Sequence, residues 1–582
     1  MRFLLHIGRA YPTRTLLTLL SLVVAGLVQA VSLSALLPVL SVATNPSRAA
    51  GATDDSVLVN VLKHGGIEPT LSLLLTLLVV GMMIKGVLVL FAKRHVGYTV
   101  AQIATDLRLR LLRSLVEARW NYFLHQPVGT LTNAMATEPK RASSAYLNGT
   151  RSIALTIETL VYVGVALTVS WQATLIALAV GIILMLSFGR LVRAARKAGK
   201  RQTKRMKSLV RLMTDTLQSV KAFKAMGLTD RAIAVLEKET GRLNKSMRRE
   251  VFSTEAVSAL YEPMIVTLVA VGLYFALTEL ALPLANILVL VVLLVRVLAS
   301  LGKVQSSHQK MAVAESAYWS LLKTIENAEQ AHEMAGDGRN PVFERSIALD
   351  RVSFYFGPKQ ILKDLSVVLP AGSFTTLIGA SGAGKTTVID LITGLLQPTS
   401  GQILIDDMSL KDCSLEAWRG MIGYVPQEVL LLHDTVLHNV TLGDPAFDQA
   451  DAERALRTAE AWDFVAAMPE GLNTIVGESG GTMSGGQRQR RCIARALVRR
   501  PRRLILDEAT SAQDPHSELA ICDTLAALRG QITILAVSHQ TRLASIADRV
   551  LRLQDGVVVA TVPEGPAGIT PGMDEAESAT GV

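Results

Sequence analysis

The stretch SFTTLIGASGAGKTTVIDLITGLL, residues 373–396, sets the architecture of the second half of the chain. Its first residues form a short apolar run of β type, its last a helical pattern, and the turn between them is GASGAGKTT (379–387). That turn fits G-x-x-x-x-G-K-[ST] at Gly379, Gly384, Lys385 and Thr386, in the strand–loop–helix order that a phosphate loop requires. Glycines let the backbone N–H groups turn inward around phosphate oxygens. The Lys385 ammonium adds a point charge near the outer phosphates, and the Thr386 hydroxyl can reach a divalent cation. A glycine-rich turn that holds no ligand is the plainer reading of the motif taken alone.

Outward from the loop, QILIDD (402–407), IGYVP (422–426), RRLILDE (502–508) and TILAVSH (533–539) are short apolar runs separated by helical segments, the pattern of a mostly parallel sheet. Two earlier runs, IALDRVSFYF (347–356) and ILKDLSVVL (361–369), also read as strands. RRLILDE ends in adjacent carboxylates, Asp507 and Glu508. A buried strand ending in paired acids needs partners for them, which suits Asp507 to a metal shell and Glu508 to a base acting on water. TMSGGQRQRR (482–491) offers a second anion-ready helix start, with Ser484 as N-cap and glycines that leave the first N–H groups open. His539 at a strand end is more often structural than catalytic, so by itself it decides little.

The first half has a different composition. Six apolar runs approach the twenty or so residues needed to cross a bilayer, at roughly 16–43, 71–92, 153–170, 172–189, 257–278 and 281–301. The long spacers at 93–151 and 190–250 are rich in Lys and Arg, whereas the 44–70 loop is not. Both termini are therefore expected in the cytoplasm. The formal charge of +10 belongs largely to those spacers, so nucleic acid is not an expected partner. The first run is too long for the apolar part of a signal peptide, and its removal would leave an odd number of crossings. The three cysteines, Cys413, Cys492 and Cys522, have no metal-ligand spacing and fit a reducing compartment.

The spacers carry helical periodicity, as in ATDLRLRLLRSLVEA and SLVRLMTDTLQSVKAFKAM, so each reads as two helical arms with a bend. Pro127-Val128-Gly129 marks the first bend and Ser219 to Gly227 the second. After the sixth run, QKMAVAESAYWSLLKTIENAEQAHE reads as one more helix. The expected division is a membrane domain over 1–333, a linker at 334–341, an α/β domain over 342–564 and a disordered tail at 565–582.

The ordered set of phosphate loop, YVPQ, SGGQ, Asp507-Glu508, SAQD and His539 resembles the ATPase domain of ABC transporters. Six crossings ahead of one such domain resemble an exporter-type (type IV) half-transporter over the whole chain. The resemblance implies a multi-domain fold, an all-α six-helix transmembrane domain followed by an α/β P-loop ATPase domain. It implies ATP and Mg²⁺ as cofactors. Nucleotide would be held by Gly379, Ala380, Ser381, Gly382, Ala383, Gly384, Lys385, Thr386 and Thr387, with Phe356 replacing the usual adenine-stacking tyrosine. Thr386, Gln427 and Asp507 would serve the metal, and Glu508, His539 and Gln427 the catalysis. Ser484, Gly485, Gly486, Gln487 and Asp514 would close over ATP held by another chain. Gln513 departs from the commoner SALD, and Glu478 falls in a segment that transmits motion in the family. A homodimer is the economical expectation and a heterodimer the alternative, because one chain carries one of each motif.

The expected mechanism is alternating access: two ATPs join the soluble domains, and bends near Trp120 to Thr130 and Thr216 to Gly227 carry the motion. Four charged residues lie in the apolar runs: Lys85, Glu158, Glu262 and Arg296. Charges at the bilayer centre are costly and mark pathways, so Glu158, Glu262 and Arg296 are candidate substrate contacts, with Glu158 and Arg296 the stronger and a possible pair. The cargo expected is amphipathic or hydrophobic: a lipid-like molecule, glycolipid, drug or peptide. The expected location is a bacterial inner membrane, among membrane lipid. An ATP-gated channel or regulator, or an importer of the same fold, is the alternative reading.

Overall fold

The computed structural model describes residues 2–36, 38–40, 62, 64, 70–172, 174–175, 178–179, 189–278, 284–333, 338–429, 431–476, 484–509, 515–538 and 541–563. The greater part of the expected fourth crossing, half of the 334–341 linker, Glu478, Gln513, Asp514, His539 and the 565–582 tail lie outside the described residues. The chain divides into two compact units, Met1–Ala118 with Tyr122–His332 and Arg119–Asn121 with Glu333–Val582.

The first unit is helical. Arg2–Ala10 is a short amphipathic helix whose Phe3 and Ile7, four residues apart, are buried together. Phe3 meets Tyr318 edge to face at 4.9 Å, and the Tyr11 hydroxyl donates to Asp106 Oδ2 at 2.6 Å. Long helices follow at Pro12–Ser34, Leu71–Val116, Glu138–Val169, Gly189–Gln218, Thr229–Thr278 and Leu284–Gln330. Among the described residues, four spans are long and apolar enough to cross a membrane: Pro12–Leu40, Leu71–Val116, Val128–Val169 and Ile287–Gln330. The run at 257–278 lies within the Thr229–Thr278 helix. Val79, Met83, Val87 and Leu90 recur every three or four residues and are all well exposed, an outward apolar stripe suited to lipid tails. At Gly81 the helix approaches Ser32 so closely that a Cβ would strike its side chain, which fixes where the first two long helices cross.

The helices run well past the bilayer length, as the spacer periodicity indicated. Short helices at Trp120–Leu124 and Val220–Ala225 stand at the expected bends, and Gly227 ends the second with φ +64°. The segment expected as a separate helix after the sixth crossing is instead continuous with it. Leu284–Gln330 is a single 47-residue helix, because no glycine, proline or capping residue interrupts the pattern between them strongly enough to stop it.

The second unit contains two large sheets. The strands are β1 (Ser346–Phe356), β2 (Lys359–Pro370), β3 (Phe374–Ile378), β4 (Ser400–Ile405), β5 (Met408–Ser409), β6 (Ile422–Val425), β7 (Asp434–Thr435), β8 (Ile475–Val476), β9 (Arg503–Asp507), β10 (Thr533–Val537), β11 (Arg549–Gln554) and β12 (Val557–Pro563). The six-stranded sheet has the order β12-β11-β3-β10-β9-β6, parallel except for the β11–β12 hairpin. Strands β9 and β10 are buried throughout, matching the apolar runs 504–506 and 534–537 that they contain.

The 402–407 run departs from the expected parallel sheet. It contributes β4 to an antiparallel sheet of order β2-β1-β4-β5. The physical reason is the connection: β4 turns straight back into β5 through Asp406, at φ +52°, and a tight turn can join only antiparallel neighbours. The Asp406 carboxylate accepts from the backbone N–H groups of Glu344, Arg345 and Ser346, which ties this sheet to the start of the unit and holds the carboxyl below its ordinary range despite the desolvation that opposes it.

Candidate functional site

The carboxyl ends of β3, β6 and β9 lie along one edge of the parallel sheet, where loops from open α/β sheets bind ligands. The loop after β3 leads into the Lys385–Ile392 helix. Gly384 is its N-cap at φ +105°, and a Cβ there would come within 2.9 Å of Leu362 Cδ2. Only glycine meets both conditions without strain. Lys385 is 4% exposed, and its Nζ donates to the carbonyls of Gly379 at 3.0 Å and Ala380 at 3.1 Å, so the side chain is folded back along the loop. Burial draws its ammonium below the ordinary lysine range, while Glu508 and Asp507 oppose that shift.

The two acids take different surroundings. Asp507, the last residue of β9, is 4% exposed and faces the Thr386 hydroxyl at 3.5 Å and the Tyr424 hydroxyl at 3.5 Å. Burial, then the neighbouring Glu508, push its carboxyl above the usual range. Glu508 leaves the strand at φ +48°, a left-handed conformation that swings its side chain away from the strand direction. One oxygen accepts from Gln427 Nε2 at 2.7 Å and the other lies 3.8 Å from Lys385 Nζ. The structure thus joins five of the residues singled out in the sequence: Lys385, Thr386, Gln427, Asp507 and Glu508.

Two neighbours were missed by the sequence reading. Tyr424 sits three residues before Gln427 on β6, and burial, followed by Asp507, raises its phenol above the ordinary value. Asp390, one helical turn beyond Thr386, is raised to about 6 by burial and Asp507. Its signal was available as an acid in an otherwise apolar helix.

Ser484 caps the Gly485–Leu497 helix. Its Oγ accepts from the Gln487 N–H at 3.2 Å, and Gln487 Oε1 accepts from the Ser484 N–H at 3.1 Å. This reciprocal box spends the Gln487 side chain on the cap and leaves the Gly485 and Gly486 N–H groups without an intrahelical acceptor. Phe356 ends β1, its ring edge to face with Phe354 at 4.9 Å and partly buried against the antiparallel sheet's core. Ala380, Ser381, Gly382, Ala383 and Thr387 complete the loop and first helical turn.

Residues suited to a divalent cation are present as hard oxygen donors, Thr386 and Asp507, with the Gln427 amide nearby. Among the described residues, no group of three or more His, Cys, Asp or Glu could hold a metal without help. The hard oxygen donors Thr386 and Asp507 beside a phosphate loop suit Mg²⁺, which keeps few protein ligands and rides on substrate phosphates.

In the helical unit, the expected Glu158–Arg296 pair is not formed. Glu158 Oε1 instead accepts from Lys85 Nζ at 2.9 Å and from the Tyr162 hydroxyl at 3.0 Å. Arg296 Nη1 donates to the same Tyr162 hydroxyl at 3.3 Å and lies over its ring. The reason is reach: Tyr162 stands one turn beyond Glu158 and occupies the space between the two charges. Lys85, the charge of the apolar runs outside the candidate substrate contacts, is the acid's partner. Of Glu262 only the backbone is described, within Thr229–Thr278.

The transmembrane-region model of ABC transporters matches residues 15–301, and the ABC transporter ATPase model matches residues 362–511. The chain is 28% identical over 496 residues to the ATP-dependent lipid A-core flippase of Albidiferax ferrireducens, covering 82% of this chain and 84% of the relative. It is 27% identical over 460 residues to the heterocyst differentiation ATP-binding protein HepA of a Nostoc species, covering 78% and 76%. A solved bacterial Atm1-family ABC exporter with ATP bound shares the fold, with a TM-score of 0.77 at 20% identity over 95% of each chain. This multi-pass membrane protein belongs to the ABC transporter family, as an exporter-type (type IV) half-transporter whose membrane and ATPase domains share one chain and couple ATP hydrolysis to transport.

Proposed function

We propose that two copies of this chain form a homodimeric exporter or flippase for an amphipathic, lipid-like substrate, with both ATP sites active. The observation that carries the substrate class is the intramembrane cluster of Lys85, Glu158, Tyr162 and Arg296. Among the described residues it holds two cations and one carboxylate, and the carboxylate is already engaged by Lys85. A surplus cation at membrane depth favours cargo that brings an anionic group together with an apolar body. The lipid A-core flippases among its relatives are consistent with that chemistry.

In the ATP site, Lys385 and the loop N–H groups take the β and γ phosphates. Glu508 acts as the base for the attacking water, oriented by Gln427. Thr386, Asp507 and Gln427 hold Mg²⁺, which neutralises phosphate charge when bound. Ser484 to Gln487 present their open N–H groups to nucleotide on the second copy. His539 and Asp514 complete the γ-phosphate contact and the join between copies, and Phe356 stacks on adenine. The ATPase domain and both termini lie on the cytoplasmic side of a bacterial inner membrane.

The test is ATPase activity of the full chain in lipid vesicles against lipids, drugs and peptides, followed by direct transport of each stimulator. Stimulation by anionic amphipaths with ATP-dependent movement is expected. Flux without ATP would support a channel instead, and inward movement an importer.

A further inference from the structure

The helices Gly189–Gln218 and Thr229–Thr278 pack along the basic segments that follow the fourth apolar run and precede the fifth. On the first, Lys197, Arg201 and Lys204 recur at four- and three-residue spacing, and on the second Lys245, Arg249 and Phe252 do the same, so each helix turns one basic face to the other. These faces line a cavity of about 800 Å³. A second, of about 540 Å³, shares Arg201, Lys245 and Arg249 with it. Among the described residues, Glu239 is the carboxylate paired with this cluster, through Arg205 at 3.5 Å and through Arg242.

Bringing two like-charged faces together opposes packing unless an anion fills the space between them. Depth indicates which anion. At 1.5 Å per residue, Lys197 lies about 12 Å beyond the end of the fourth apolar run and Arg249 about 12 Å before the fifth begins. Headgroups extend about 5–8 Å outside the hydrocarbon core, and the long Lys and Arg side chains reach back across the remaining few ångströms. Phe252, 75% exposed on the wall of the larger cavity, lies closer to the apolar run and gives the groove an apolar end.

We propose that this groove binds the phosphate headgroup of an anionic lipid of the adjacent leaflet, with Phe252 against its acyl chains. The site holds whatever the exporter's cargo is, because it lies outside the Lys85–Arg296 cluster.

The test uses the full-length protein in neutral detergent, with Ser246→Cys on the groove wall carrying an environment-sensitive maleimide dye; the native cysteines are buried. Dioctanoyl phosphatidic acid is expected to shift the dye saturably. Dioctanoyl phosphatidylcholine and inorganic phosphate alone are not. Arg201→Gln/Lys245→Gln/Arg249→Gln should weaken phosphatidic acid binding at least about tenfold, since each cation near anionic lipid contributes about fivefold. A control that removes three exposed cations elsewhere in the unit, Lys93→Gln/Lys140→Gln/Arg151→Gln, should stay within about twofold. Equal weakening by the control would reduce the effect to diffuse charge and overturn the site. So would a response to inorganic phosphate as strong as to the lipid, or a position 246 that no dye reaches because a second copy covers it.

Discussion

Replacing Glu508 by Gln isolates the proposed base with the least change in shape. The carbonyl of the new amide can still accept from Gln427 Nε2, now 2.7 Å from the carboxylate, so Gln427 keeps its orientation. What is lost is proton-accepting capacity, worth about 10²- to 10⁴-fold, or about 3–5 kcal/mol of barrier. Nucleotide affinity should move the other way or not at all. The carboxylate lies 3.8 Å from the Lys385 ammonium, and at an effective dielectric of about 20 that attraction is about 4 kcal/mol before desolvation is subtracted. Removing it frees Lys385 for phosphate. The assay pairs phosphate release at saturating Mg-ATP with equilibrium binding of a fluorescent ATP analogue. A variant that hydrolyses at the parental rate would refute the base assignment. A variant that loses nucleotide binding would refute the charge argument instead.

Within the membrane, Glu158→Gln leaves Lys85 without its acid, so the folded protein should lose heat resistance in detergent extraction. Lys85→Met/Glu158→Gln should recover most of the loss, with a coupling of about 1–3 kcal/mol; strictly additive effects would mean that the pair does not interact. Asp390, raised to about 6 in the fold, is ionised at a penalty above that pH and relieved of it as pH falls toward its ordinary value. Asp390→Asn should therefore raise the unfolding free energy of nucleotide-free protein at pH 8 by about 1 kcal/mol after screening of this partly exposed group, with the gain gone near pH 4. A gain independent of pH would exclude ionisation as its source. Ser484→Arg in one member of a mixed dimer should impair the ATP site built on the other member's phosphate loop, scored with loop-disabled partners; damage confined to its own loop contradicts the composite site.

The sequence was sufficient wherever a property is local. The loop at 379–387 needs glycine at φ +105° and a lysine at the helix start whatever surrounds it, and the Ser484–Gln487 box is closed by residues three apart. Apolar run length likewise requires only a count against bilayer thickness. Tertiary structure decided what depends on which distant segments meet. That QILIDD joins an antiparallel sheet follows from its turn and its partners, because an apolar run reads the same in either sheet. The nearness of Asp390 and Tyr424 to Asp507 needs the helix after β3 and strand β6 to be brought beside β9. Charge pairing inside the membrane went furthest beyond the sequence. Lys85, Glu158 and Arg296 come from three helices, and their relative rotation places Lys85 and Tyr162, not Arg296, within reach of the acid. Coulomb attraction acts over a few ångströms in space, and only the packed bundle fixes which few.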